Sequence, residues 1–156
     1  MAHTTVEPPD GGSLTADAAS SCNSLANNAP VVSLPAVASA APLGQGGTIS
    51  DGTYAMQTAT YYTGTGGASG PTGTTSQVTI EVSGDTVQVV SSSGGTTSHL
   101  TVTIGTGGSS LTYADVCPVS ATLNGSYSAT PTTLTVMLPV ASDSGATTLV
   151  EDFVKQ

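Results

Sequence analysis

From Thr48 to the C-terminus, apolar and hydroxyl-bearing residues alternate with a period of two in short runs bounded by Gly, Ser, Asp or Pro. Such alternation predicts half-buried β-strands. Eight are expected, at 52–62, 76–82, 86–91, 98–104, 110–116, 125–129, 133–138 and 147–154. The second places Val78, Ile80 and Val82 on one side, the fourth Leu100, Val102 and Ile104, and the seventh Leu134, Val136 and Leu138. In the first, the same spacing puts Tyr54, Met56 and Tyr62 together, and in the eighth Leu149 and Phe153 share a face.

The connections are mostly of hairpin length, as at Ser83-Gly84-Asp85 and Thr130-Pro131-Thr132. Consecutive strands are therefore expected to pair antiparallel in up-and-down order. An open sheet of this size would leave two edges exposed to pairing, so an eight-stranded antiparallel barrel is the expected fold, with a two-sheet β-sandwich as the alternative. On the barrel reading, Tyr54, Met56, Tyr62, Val78, Ile80, Leu100, Val102, Leu134 and Val136 line the interior. Barrels of this strand number sit between interiors filled by side chains and interiors that hold one small ligand. With no Trp and one Phe in the chain, bulky filler is scarce.

The pattern differs ahead of Gly46-Gly47, which divides an N-terminal part at 1–45 from the barrel at 46–156. Residues 4–12 read as a tether. Residues 13–27 have the spacing of a short helix, with Ser13 as N-cap and Leu14, Ala18, Cys22 and Leu25 on one stripe. Pro30, Pro35 and Pro42 break regular structure through 31–43, an extended stretch too apolar for a free linker. It is expected to lie on the barrel surface, held by Cys22.

Cys22 and Cys117 are the two cysteines, neither in a CxxC pair. A zinc site needs about four ligands, and the histidines are His3 and His99. A disulfide is the better reading. Composition points the same way: charged residues make up 7% of the chain, against roughly 25% in an average soluble protein. The start lacks a basic segment followed by an apolar one, and no stretch approaches a membrane span of about 20 apolar residues. The expectation is an exported chain whose targeting segment was removed ahead of residue 1.

One Lys, no Arg and ten carboxylates give a formal charge of −9. Nucleic-acid binding needs cations to neutralise phosphates, and Lys155 is the only lysine. Nucleic acid, phosphorylated substrates and anionic surfaces are accordingly poor partners. Net negative charge favours solubility and a monomer.

The run Gly46-Gly47-Thr48-Ile49-Ser50-Asp51-Gly52-Thr53-Tyr54, then Tyr61-Tyr62-Thr63-Gly64, Cys117-Pro118 and Ala129-Thr130-Pro131-Thr132-Thr133-Leu134 together carry a likeness. They resemble uncharacterised exported proteins and lipoproteins of proteobacteria with small lipocalin-like barrels. The resemblance spans Cys22 to the C-terminus. It implies an antiparallel barrel, an envelope or extracellular location and an apolar ligand cavity. It implies no catalytic residues, and the chain contains no lipobox.

Candidate chemistry is sparse. His99 opens a strand after a Ser/Thr/Gly turn, and no GxSxG motif accompanies it, so it reads as an exposed strand-end residue rather than a general base. Glu151 and Asp152 are adjacent on a strand, so their side chains point to opposite faces and cannot flank one bond. Asp85, Asp115 and Asp143 fall at strand ends or in loops and read as turn-forming or solvated. Asp51 and Asp85 lie in Gly-containing turns without an EF-hand-like repeat, and the glycine-rich stretches match no nucleotide motif. No metal, cofactor or catalytic residue is expected. The functional expectation is a non-enzymatic barrel binding a small apolar ligand in its interior. The alternative is an envelope or surface interaction protein with a solid core.

Overall fold

The computed structural model describes residues 22–143 and 145–156. The expected tether and most of the expected helix, residues 13–21, lie outside them. The described part is all-β. Its strands are β1 (Val32–Ser33), β2 (Ala36–Val37), β3 (Gly52–Tyr62), β4 (Thr75–Ser83) and β5 (Thr86–Ser93). β6 (Thr96–Gly107), β7 (Ser110–Cys117), β8 (Ala121–Ala129), β9 (Thr133–Val140) and β10 (Thr147–Lys155) follow. From β3 to β10 each strand pairs antiparallel with the next, and β10 pairs back onto β3, closing an eight-stranded up-and-down barrel with β1 and β2 as additions. The sandwich alternative is thereby excluded.

Register follows the aliphatic alternation. Ile80 lies opposite Val89 and Val82 opposite Val87; Val89 and Val87 in turn face Leu100 and Val102. Residues directly opposite each other share a face, so a mismatch by one residue would turn the whole aliphatic row to solvent. Each Val, Ile or Leu buried in this way contributes about 1.5–3 kcal/mol. Leu111, Tyr127, Leu134 and Phe153 complete the core from the other strands.

Two bulges reset this alternation. Asp152 pairs with Thr58 and Phe153 with Met56, which leaves Gln57 as an extra residue in β3. Beyond it the inward positions are Ala59 and Tyr61, and it is Tyr61 that packs against the core. Tyr62, expected inside, is therefore on the other face: the extra residue inverts every later position of the strand. In β7, Thr101 pairs with Cys117 and Val102 with Asp115, so Val116 is the extra residue. That bulge turns Cys117 to the outer face, where it bonds Cys22 across a Cα–Cα distance of 5.7 Å.

Cys22 begins a strap across the outer wall. Residues 22–27 are extended, not helical as their spacing suggested. Leu25, Asn27 and Ala29 are partly or fully buried, while Ser24, Ala26 and Asn28 are exposed, a period of two. The reason is a set of partners that a helix could not reach. Asn23 Nδ2 donates to Leu100 O at 2.7 Å and Val89 O at 3.2 Å, and Asn27 Nδ2 to Gln77 O at 2.9 Å. The Thr79 hydroxyl oxygen accepts from Asn28 N and Ala29 N. Cooperative helix formation is marginal in so short a segment, and these non-local bonds prevail.

The strap then enters the barrel wall. β3 and β4 pair only over Gly52–Ala55 and Thr79–Val82 and then diverge. The start of β4 pairs instead with β1, and the end of β3 with β2 in parallel. Residues 32–37 thus fill the seam, supplying partners to backbone groups that would otherwise be orphaned. Between the two short strands, Leu34 is 4% exposed and joins the core.

At the opposite end of the barrel, Gly46 docks on β8. Its N donates to Tyr127 O and its O accepts from Ala129 N, both at 2.8 Å. Gly46 has φ +72°, and a Cβ there would overlap the Gly108 carbonyl oxygen. Gly46→Ala is expected to destabilise the fold by about 2 kcal/mol, read as a lower urea midpoint at unchanged slope.

Candidate functional site

The barrel interior holds a partly open apolar cavity of about 80 Å³. Val78 and Ile80 on β4 and Leu134 and Val136 on β9 line it. Tyr54, Met56 and Val102 are instead packed solid, each fully buried in the core beside the cavity, and Leu100 packs against that core from β6. Tyr54 is fixed by its hydroxyl, which donates to Ser50 O at 2.7 Å. The interior is thus part filled and part open.

The polar lining of this cavity comes from residues that the sequence reading did not select. Glu151 on β10 and Tyr113 on β7 both line it. Period two carried the signal: Glu151 lies between Leu149 and Phe153, and Tyr113 lies two residues beyond Leu111. Glu151 faces Val136 on one neighbouring strand and Ala59 on the other. Its side chain is half-buried, lines the cavity and makes no hydrogen bond among the described residues.

Burial in these apolar surroundings pushes the Glu151 carboxyl from 4.5 up to about 7. Burial, followed by the charges of Asp115 and Glu151, raises the Tyr113 phenol well above its ordinary value, so Tyr113 stays a neutral phenol. Asp115, opposite Val102, is raised by desolvation. Although its side chain is only partly covered, its Oδ1 is buried without a hydrogen-bond partner among the described residues. Two carboxyl groups and a phenol therefore share the inner surface of the barrel, and the desolvation of each is uncompensated by a partner charge.

Asp152 points the other way, as expected of a strand neighbour. Its carboxylate accepts from Thr58 Oγ1 at 2.7 Å and from Thr135 Oγ1 at 2.6 Å. His99 is also on the outer wall, opposite Val90, with Nδ1 3.0 Å from Asn23 Oδ1. Neither converges on Glu151. Among the described residues no group of His, Cys, Asp and Glu is placed to hold a metal ion.

The wall beside the cavity is incomplete. β8 pairs with β9 only over Ser126–Ala129 and Leu134–Met137. Beyond that point Leu138, a cavity residue, has no pairing partner on β8, although Gly125 still lies close to it, and Leu123 of β8 is 42% exposed. A larger hollow of about 340 Å³ lies among Tyr61, Thr72, Val140 and Thr147, but it is a shallow surface dish without a titratable group other than the tyrosine. The lumen is the better candidate because it combines apolar walls with a few polar groups.

The Cys22–Cys117 disulfide suits an oxidising compartment. Among the described residues no helix is long and apolar enough to cross a membrane. Comparison of the chain with protein-family models, with curated proteins and with solved structures finds no match.

Proposed function

We propose that this chain is an exported, non-enzymatic binding barrel that takes one small ligand in its lumen. The observation that carries the reading is the apolar cavity with a single unpaired carboxyl, Glu151, in its wall. A buried ionisable group without a partner weakens a fold, and a ligand that pairs with it removes that cost. The disulfide and the low charged content support export. A binding role rather than catalysis is supported by His99 and Asp152, which bond their own neighbours on the outer wall.

Size bounds the ligand. A cavity of about 150 Å³ accommodates benzene, and drug-sized ligands occupy roughly 300–1,000 Å³. At about 80 Å³ the lumen suits a molecule of about four or five heavy atoms, not a fatty acid or a large ring system. Titration with 1-propanol, followed by methyl NMR, is expected to shift Val78, Ile80, Leu134 and Val136. Val136→Phe, which fills the space, is expected to abolish the shifts. Unmoved methyl signals at millimolar probe would leave the barrel as a solid-core interaction protein.

A further inference from the structure

We infer that the ligand of this lumen is a small aliphatic ammonium ion, its charged end paired with Glu151 and its hydrocarbon against the Val and Ile side chains of β4. This inference rests on the lumen being a binding site and adds the chemistry of the occupant.

The first support is the lack of an internal counter-charge among the described residues. The chain has one Lys and no Arg. Lys155 is committed at the end of β10, with its Nζ 5.9 Å from the Tyr54 ring centroid. It lies four positions along the extended strand from Glu151, about 13 Å. His99 is on the outer wall with Asn23. A cation for Glu151 must therefore come from outside the described chain.

The second support is the character of the cavity surface. Tyr113 shares the cavity wall with Glu151, and its neutral ring has a face that attracts cations and a hydroxyl oxygen that accepts a hydrogen bond. Asp115 adds a second carboxyl on the same inner surface of β7. An anion entering here would meet like charge without a donor cluster to hold it. A neutral alcohol would satisfy hydrogen bonds but leave the carboxylate unpaired. An ammonium group on three or four carbons satisfies charge, hydrogen bonding and the apolar walls together, within about 80 Å³. The formal charge of −9 also raises the local concentration of cations around the barrel.

The test compares three probes of nearly equal size at pH 7.5: propylammonium, 1-propanol and propionate. Methyl NMR of the full chain reads affinity and position together. Propylammonium is expected to bind at least tenfold more tightly than 1-propanol, and propionate more weakly than either. In Glu151→Gln the preference for the ammonium over the alcohol disappears. Glu81→Gln, on the exposed face of β4, retains it. Equal or tighter binding of 1-propanol to the unmodified protein overturns the inference and leaves the lumen as a binding site. An ammonium preference that survives Glu151→Gln overturns it too. If none of the three probes shifts the cavity methyls, the binding reading itself falls, and the inference with it.

Discussion

Opening the Cys22–Cys117 bond is expected to cost the folded state about 4 to 5 kcal/mol. The bond joins residues 95 apart in sequence, and in the chain-entropy description a loop of that length accounts for about this much. The native geometry adds a second reason. The bond fixes the start of the strap at the end of β7, beside Thr101 Oγ1, which donates to Cys22 O at 3.0 Å. With the bond open, hydrogen bonds such as those of Asn23, Asn27 and Thr79 must hold the strap over Val90 and Thr79, which it now covers. The seam strands β1 and β2 lie further along the same segment and keep their own ladders, so the barrel is expected to fold but melt lower. For a chain of this length the fall in Tm is on the order of 10 °C. Thermal unfolding with and without reductant, or of the double Cys→Ala variant, measures it. An unchanged Tm would mean that the strap stays on the wall without covalent help.

The pH dependence of stability should carry the signature of Glu151. Its folded value lies above the ordinary one, at about 7 against 4.5. Between these values the folded protein binds more protons than the unfolded chain, so stability falls as pH rises through this window. Below about 4.5 the cost is absent, and above about 7 it is fully present. The shift corresponds to about 3 kcal/mol. Glu151→Gln removes the ionisable group, so the variant is expected to exceed the unmodified protein in stability at pH 8 by an amount approaching that figure, and to match it near pH 4. Tyr113 loses the influence of the Glu151 charge in the variant but stays a neutral phenol throughout this window, and Asp115 is raised by its own desolvation, so the difference between the two curves reports on Glu151. Urea unfolding at a series of pH values gives both curves. Parallel curves would show that the carboxyl is solvated in the folded state.

Much of the barrel is legible in its alternation because the fold needs each aliphatic row on one side. Val78, Ile80 and Val82, or Leu134, Val136 and Leu138, admit only one orientation of their strands. Strand closure follows from hairpin-length turns and from the cost of bare edges. Tyr62 shows where such reading stops. The extra residue Gln57 has no local mark, since the bulge depends on the pairing of β3 with β10, nearly a hundred residues away. The strap is a similar case. Leu14, Ala18, Cys22 and Leu25 fit a helical stripe, yet from Cys22 onward the asparagine amides find carbonyls on β4, β5 and β6 that no local pattern reveals. The seam between β3 and β4 is equally silent in the sequence, because it is defined by where two distant strands part. Glu151 is different. Its place between Leu149 and Phe153 marks it as inward-facing, and a carboxyl on an apolar row is more informative than the aliphatic residues beside it.

Because the account depends on Glu151 standing unpaired in an apolar lumen, the most direct measurement is its titration. Selective ¹³C labelling of glutamate carboxyls covers Glu7, Glu81 and Glu151, and Glu151→Gln identifies the signal of interest by its loss. That signal is expected to titrate with a midpoint of about 7; a midpoint near 4.5 would place the carboxyl in water and contradict the account.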